Sequence, residues 1–281
     1  MSADLARTLL ALDLGEGAVM ARDLKAARTS MVGYRVAEGF NPHIVKLLTT
    51  PDENIKLTHS GTDRVAAYGL TLAPADLSGD WNTCRYATAG CRRACLATSG
   101  NGRYGRTQAG RVWKTKWLAE RPLDFLRVLV DEIDAIKVEK WAAAGWTVSL
   151  RLNVLSDLPW EAIAPWLVER AAARGIRVYD YSKGYKRAEA AAAIGYDLSM
   201  SVHEKTTPVQ IRSIRRPVVV FDVKRGHDLP AEYMGRRVID GDRSDARFLD
   251  DSDVIVGLRF KAVTTTDRAT AVASGFVRPA A

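Results

Sequence analysis

Short apolar runs alternate with helical patterns through most of the chain. Val65–Leu72 is apolar on both alternations, which predicts a strand buried on both faces. Arg106–Leu118 reads as a helix. Leu123–Lys140 reads as a longer one, with Leu126, Leu129, Val130, Ile133 and Ile136 at three- and four-residue intervals. The rhythm continues with a strand over Thr147–Val154, a helix over Pro159–Arg174 and a strand over Ile176–Tyr181. A helix over Lys186–Ile194, a strand over Leu198–Val202 and a short helix over Pro208–Ile214 follow. Strands over Pro217–Val223 and Val254–Phe260 complete it.

Strands alternating with helices are the mark of βαβ units and a mostly parallel sheet. A complete eight-fold barrel takes about 250 residues, and only about 200 carry the rhythm here. The expected fold class is therefore α/β, a partial or irregular (β/α) barrel of about six mostly parallel strands. A doubly wound open sheet is the alternative. Residues 1–64 form a mixed N-terminal extension packed on the main domain: a short apolar Leu5–Leu14, a helix over Asp23–Val32 and turn-rich residues 41–64. Residues 65–262 form the barrel-like catalytic domain, and residues 263–281 a C-terminal tail without chemical signal.

Composition narrows the classes. The 281 residues are 47% hydrophobic and 26% charged, which suits a globular chain and not a disordered one. No apolar run approaches the roughly 20 residues that cross a bilayer. Met1–Arg7 lacks a signal-peptide pattern, and three cysteines cannot staple a secreted scaffold. A cytoplasmic protein with reduced thiols and no membrane partner is expected. Lys and Arg number 41 against 33 Asp and Glu, a net charge of +8 compatible with a nucleotide or nucleic-acid partner. The charge is uneven. Trp81–Ala119 holds no acid, while Arg85, Arg92, Arg93, Arg103, Arg106, Arg111, Lys114 and Lys116 fall within it.

The same stretch holds every cysteine: Cys84, Cys91 and Cys95. Buried free cysteines usually sit in apolar strands, whereas these stand among Arg, Thr, Gly and Tyr. Two metal readings stay open. Zinc wants a fourth ligand, which His203 or His227 could supply. An iron–sulfur cube held by three thiolates leaves one iron open for substrate. Gly100–Gly105 is neither a dinucleotide fingerprint nor a P-loop. Arg92, Arg93, Arg103 and Arg106, with the following helix N-terminus, are candidates for holding phosphate.

Each expected strand ends in polar residues: Asn153, Ser156 and Asp157; then Tyr179, Asp180, Tyr181 and Lys183. Ser201, His203 and Glu204 follow, then Asp222, Lys224 and His227, and finally Asp240, Asp242 and Asp245. Parallel strands would gather these on one rim. Asp180, Lys183 and Asp157 are the catalytic candidates; Asn153, His203, Asp222 and Asp240 are substrate-binding candidates. Asp180 stands in a strand buried on both faces, where an acid is costly unless paired or catalytic, and Lys183 or Arg187 is its expected partner. For Asp157, a helix N-cap is the plainer reading. A serine hydrolase lacks its G-x-S-x-G turn, and a zinc deaminase its H-x-E and P-C-x-x-C pair.

Four blocks, Cys84–Arg106, Arg151–Trp160, Tyr179–Lys183 and Val238–Asp242, resemble the mycobacteriophage gene product eighty-eight family, from about residue 40 to Val277. More distantly, the cysteine segment followed by Asn153-x-x-Ser156-Asp157 is similar to the phage three-Cys-motif, radical-SAM-like proteins, with wider cysteine spacing here. The resemblance implies a phage-type iron–sulfur enzyme that modifies a nucleotide or nucleic acid. Cys84, Cys91 and Cys95 would hold a 4Fe–4S cluster whose open iron binds S-adenosylmethionine. Two alternatives stand beside it. One is a zinc-stabilised nucleic-acid-binding protein without catalysis. The other is a transglycosylase-like base-exchange enzyme with structural zinc and Asp180 as nucleophile.

Overall fold

The apolar runs become strands that mostly point one way. A computed structural model describes residues 2–43, 46–53, 63–95, 104–261 and 265–280. Its strands are β1 (Ala3–Asp4), β2 (Leu48–Thr49), β3 (Val65–Leu70), β4 (Trp81–Asn82), β5 (Thr147–Arg151) and β6 (Arg177–Ser182). They continue as β7 (Tyr196–Met200), β8 (Val218–Phe221), β9 (Glu232–Tyr233), β10 (Arg236–Asp240) and β11 (Ile255–Arg259). One sheet runs β2-β3-β5-β6-β7 and a second β8-β11-β10-β9, with β1 and β4 paired apart. Within the large sheets only the edge pairings β2–β3 and β10–β9 are antiparallel. A single parallel bridge, Ser201 to Val218, links the two sheets, and the strands curl into a half-barrel. All the parallel carboxyl ends therefore open on one side, where α/β folds collect their ligands.

Helices cover the convex face. Leu24–Ala37, Gly105–Glu120 and Pro122–Asp134 pack together over the sheet, with Trp113, Trp117, Phe125 and Leu129 sealed from solvent. The expected single helix over Leu123–Lys140 is two, Pro122–Asp134 and Val138–Ala143. Between them Lys137 leaves helical geometry, and the Ile136 carbonyl accepts a bond from Arg174 (2.9 Å). The expected helix over Pro159–Arg174 also splits, into Trp160–Ile163 and Pro165–Ala173, because Pro165 has no N–H to continue the ladder. Residues 2–43 join the same core through Leu5, Leu9 and Met31.

On the concave face, Val65 and Ala67 meet Ala246 and Phe248, and the Phe248 ring stands edge-on to Tyr179 at 5.1 Å. The segment after β10 thus crosses the inside of the half-barrel. The tail beyond residue 263, which carries no chemical signal in the sequence, forms a helix over Thr265–Ala273 and then packs Phe276 and Val277 beside Cys91. Arg278 extends the β8 edge by donating to Val220 (2.8 Å). No helix among the described residues is long and apolar enough to cross a membrane.

Candidate functional site

The half-barrel opens on a cavity of about 1490 Å³ at the carboxyl ends of β5, β6, β8, β10 and β11. That exceeds the roughly 300–1,000 Å³ of a small-molecule pocket and leaves room for a bound centre and a ligand together. Cys84, Cys91 and Cys95 all line it. The cysteine segment contains a helix over Ala89–Arg93 that carries Cys91 one turn before Cys95. Thr88 caps that helix by accepting from the Cys91 N–H (3.2 Å). Glu204, from the loop after β7, accepts from the Thr88 hydroxyl (2.7 Å) and the Gly90 N–H (2.9 Å). Burial would raise the Glu204 pKa, but these bonds hold it below the usual carboxylate range. Only glycine fits at position 90, where a Cβ would lie 2.8 Å from Phe276 Cβ and 2.9 Å from Glu204 Oε2. Glu204 and the tail together press the cysteine helix onto the rim.

The three sulfurs differ in setting. Cys84 is buried, its thiol donates toward Leu155 O (3.6 Å), and burial pushes its pKa up to about 11. Cys91 and Cys95 are half-buried. Lys183 reaches among them. Burial would lower its pKa, yet the charge and hydrogen bond of Cys91, with Asp157 and Cys84, raise it.

Asp157 lines the cavity but caps no helix, since the following turn has Pro159 at its N-cap position. Its carboxylate accepts from Ser182 Oγ (2.8 Å), the Lys183 N–H (3.0 Å) and the Arg187 guanidinium. Arg187 also pairs with Glu161 (2.6 and 2.8 Å) and donates to Leu158 O (2.9 Å). Asn153, too, is a brace: it accepts from Ser156 Oγ and the Leu158 N–H and donates to Leu158 O, folding residues 153–158 into a fixed loop.

Asp180 does not line the cavity. It is fully buried, and its partner is Arg151 (3.4 Å), where Lys183 or Arg187 was expected. Its Oδ2 accepts from the N–H groups of Leu152 (2.8 Å) and Asn153 (2.9 Å) and from the Tyr196 hydroxyl (2.8 Å). That capture takes both N–H groups out of the ladder, so the strand expected over Thr147–Val154 stops at Arg151. Buried and occupied in this way, the carboxylate is a positioning group for the loop beneath the site.

Of the remaining candidates, Arg92 lines the cavity and pairs with Asp76 (2.8 Å), and Asp240 lines it and pairs with Arg259 (2.8 Å). Arg93 is exposed outside the cavity. Arg106 is exposed as well and stacks over Phe40 (5.0 Å). Arg103 lies outside the described residues. His203 stands off the cavity, its Nδ1 accepting from the Lys205 N–H (3.2 Å), and Asp222 is engaged by Arg268. Arg151, Arg259 and Arg268 are cavity residues that the strand-end reading passed over. Arg151 carried a usable signal, a charge inside an apolar strand, the same signal that drew attention to Asp180. Among the described residues, nine Arg or Lys and five Asp line the cavity. Lys224 and Arg225 among them have no carboxylate partner within the described residues, so the mouth has cationic charge to spare.

As a donor set, three thiols without a carboxylate suit soft metals, zinc or iron–sulfur, over magnesium or calcium. As they stand, no three His, Cys, Asp or Glu among the described residues are grouped closely enough to hold an ion. Binding a metal would require the thiols to ionise and turn toward one another, with the Lys183 ammonium displaced from between them.

A family model described as Gene product 88 matches residues 46–279. No curated protein and no solved structure matches the chain.

Proposed function

We propose that this chain, which belongs to the Gene product 88 family, is an enzyme acting on a phosphate-bearing nucleotide or nucleic acid. In this reading Cys84, Cys91 and Cys95 hold an iron–sulfur centre in the cavity, and the two sheets work as one partial barrel of the radical-SAM-like kind. One observation carries it: all three thiols and the cations Lys224 and Arg225, which have no carboxylate partner among the described residues, line a single cavity at the carboxyl ends of parallel strands. A 4Fe–4S cluster held by Cys84, Cys91 and Cys95 would supply an open iron for binding S-adenosylmethionine and, once reduced by an external one-electron donor, an electron for cleaving it. The chain's own residues do the rest. Glu204 and Thr88 hold the cysteine helix in place, Asp157 and Asn153 fix the loop beneath the ligand, and Lys224 and Arg225 attract phosphate.

Metal analysis of oxygen-free protein tests the centre. The expected result is a brown protein with about four irons per chain, and near-complete loss of iron when Cys84, Cys91 or Cys95 is replaced by alanine. A colourless protein with one zinc would instead support the zinc-stabilised nucleic-acid binder, and a protein taking up neither metal would defeat both. The substrate side has its own readout. If Lys224 and Arg225 each contact a phosphate, Lys224→Gln with Arg225→Gln reduces the slope of log K against log salt for single-stranded DNA by about 1.4. An unchanged slope would remove these two residues from the binding surface.

A further inference from the structure

Arg151 is the most deeply set cation of the cavity. It stands at the end of β5 with its side chain 7% exposed, between the rings of Tyr179 and Tyr181 at 5.7 and 5.0 Å from Cζ. A guanidinium has five N–H donors. Here Nε reaches Asp180 Oδ1 and Nη1 reaches Asp245 Oδ2, each at 3.4 Å, and Nη2 has no partner among the described residues. A charge-assisted bond settles at about 2.7–2.9 Å, so both contacts are slack. The two carboxylates are not equivalent. Asp180 is committed to Leu152, Asn153 and Tyr196. Asp245 is 37% exposed, lies in the segment between β10 and Arg247, and lines the same cavity. Burial works against the Arg151 charge, and Asp245 is the largest of the groups that sustain it.

We propose that Arg151 is the receptor for an anionic oxygen group of the ligand, phosphate or carboxylate, and that Asp245 is a built-in competitor for the same guanidinium. A fork of donors buried beneath the cavity, caged by two aromatic rings and held by one exposed carboxylate at long distance, matches a planar or tetrahedral oxyanion arriving from the mouth. The inference rests on the reading of this cavity as the ligand site and is independent of the cysteines.

Calorimetric titration with inorganic phosphate, and separately with acetate, tests it on the full chain. Asp245→Asn is expected to tighten binding about tenfold, because the competing charge is gone and the shape is kept. Arg151→Lys is expected to weaken it at least tenfold, since an ammonium cannot reproduce the fork. Arg170→Gln, which alters a surface ion pair outside the cavity, leaves affinity unchanged. Whichever probe responds more strongly to both variants identifies the group recognised. Unchanged affinity in Asp245→Asn, or no binding of either anion at millimolar concentration, would overturn the inference. The Asp245 variant, altered at an exposed position, keeps the test intact if Arg151→Lys folds poorly. A metal-free protein that still shows the Asp245 effect would defeat the iron–sulfur reading alone. An iron-loaded protein without that effect would defeat this inference alone.

Discussion

Arg187→Met is expected to cost about 3–5 kcal/mol of folding stability, because it strips the guanidinium that pairs with two buried carboxylates. Asp157 and Glu161 flank the guanidinium with side chains 10% and 5% exposed, and Ser182 and Leu158 O complete its partners. Burial opposes the Arg187 charge, yet its pKa is raised by Glu161 and Asp157. Without it the two acids face each other in a low dielectric, and the Asp157 hold on the Lys183 N–H is lost with them. Arg170→Met is the control: that guanidinium pairs with Asp134 and Glu16 at a surface about one-third exposed, where such pairs are worth at most about 1 kcal/mol. Urea midpoints separate the two variants. An Arg187→Met midpoint as mild as that of Arg170→Met would mean that the buried network is not what holds this end of the half-barrel together.

Asp180→Asn is expected to change how stability depends on pH. Burial raises the Asp180 pKa to about 6, with Arg151, the Tyr196 hydroxyl and the two backbone N–H groups opposing it. An unfolded chain releases the same proton near 3.9. Between those values the unfolded state gives up a proton that the folded state retains. The contribution is therefore complete below about 4 and is lost as pH rises through about 6, on the order of 3 kcal/mol. Asparagine keeps the acceptor for Leu152 and Asn153 but has nothing to titrate. Urea unfolding at pH 4, 5, 6 and 7 should show the wild-type advantage over Asp180→Asn shrinking across that window. A difference constant with pH would show that the carboxyl does not change charge there.

Much of this architecture was readable in the chain. β3, β8 and β11 form where uninterrupted apolar runs were found, because a parallel strand covered on both faces needs no polar alternation. The helix over Pro122–Asp134 follows from its apolar spacing and from Pro122 at its first turn. The cysteines and the strand-end residues Asp157, Lys183 and Asp240 were found by type and position, and all line the cavity. The strand-end rule failed at His203 and Asp222, since it says where a strand stops but not which way the next residue turns.

Local pattern alone determined the alternation of strands and helices and the clustering of thiols with basic charge. These depend on side-chain period and spacing, which neighbours along the chain settle. Tertiary structure decided the remainder. The pairing of Arg151 with Asp180, 29 residues apart, and of Arg151 with Asp245, 94 residues apart, depends on which strands lie side by side. So does the early stop of β5, made by a carboxylate on the neighbouring strand. The tail closes on the cysteine helix for a similar reason: Phe276 and Gly90, far apart in the chain, share a contact that only a missing side chain at position 90 permits. Ion pairs and close approaches of this kind form between groups that the fold brings together, and the linear order of residues does not encode that distance.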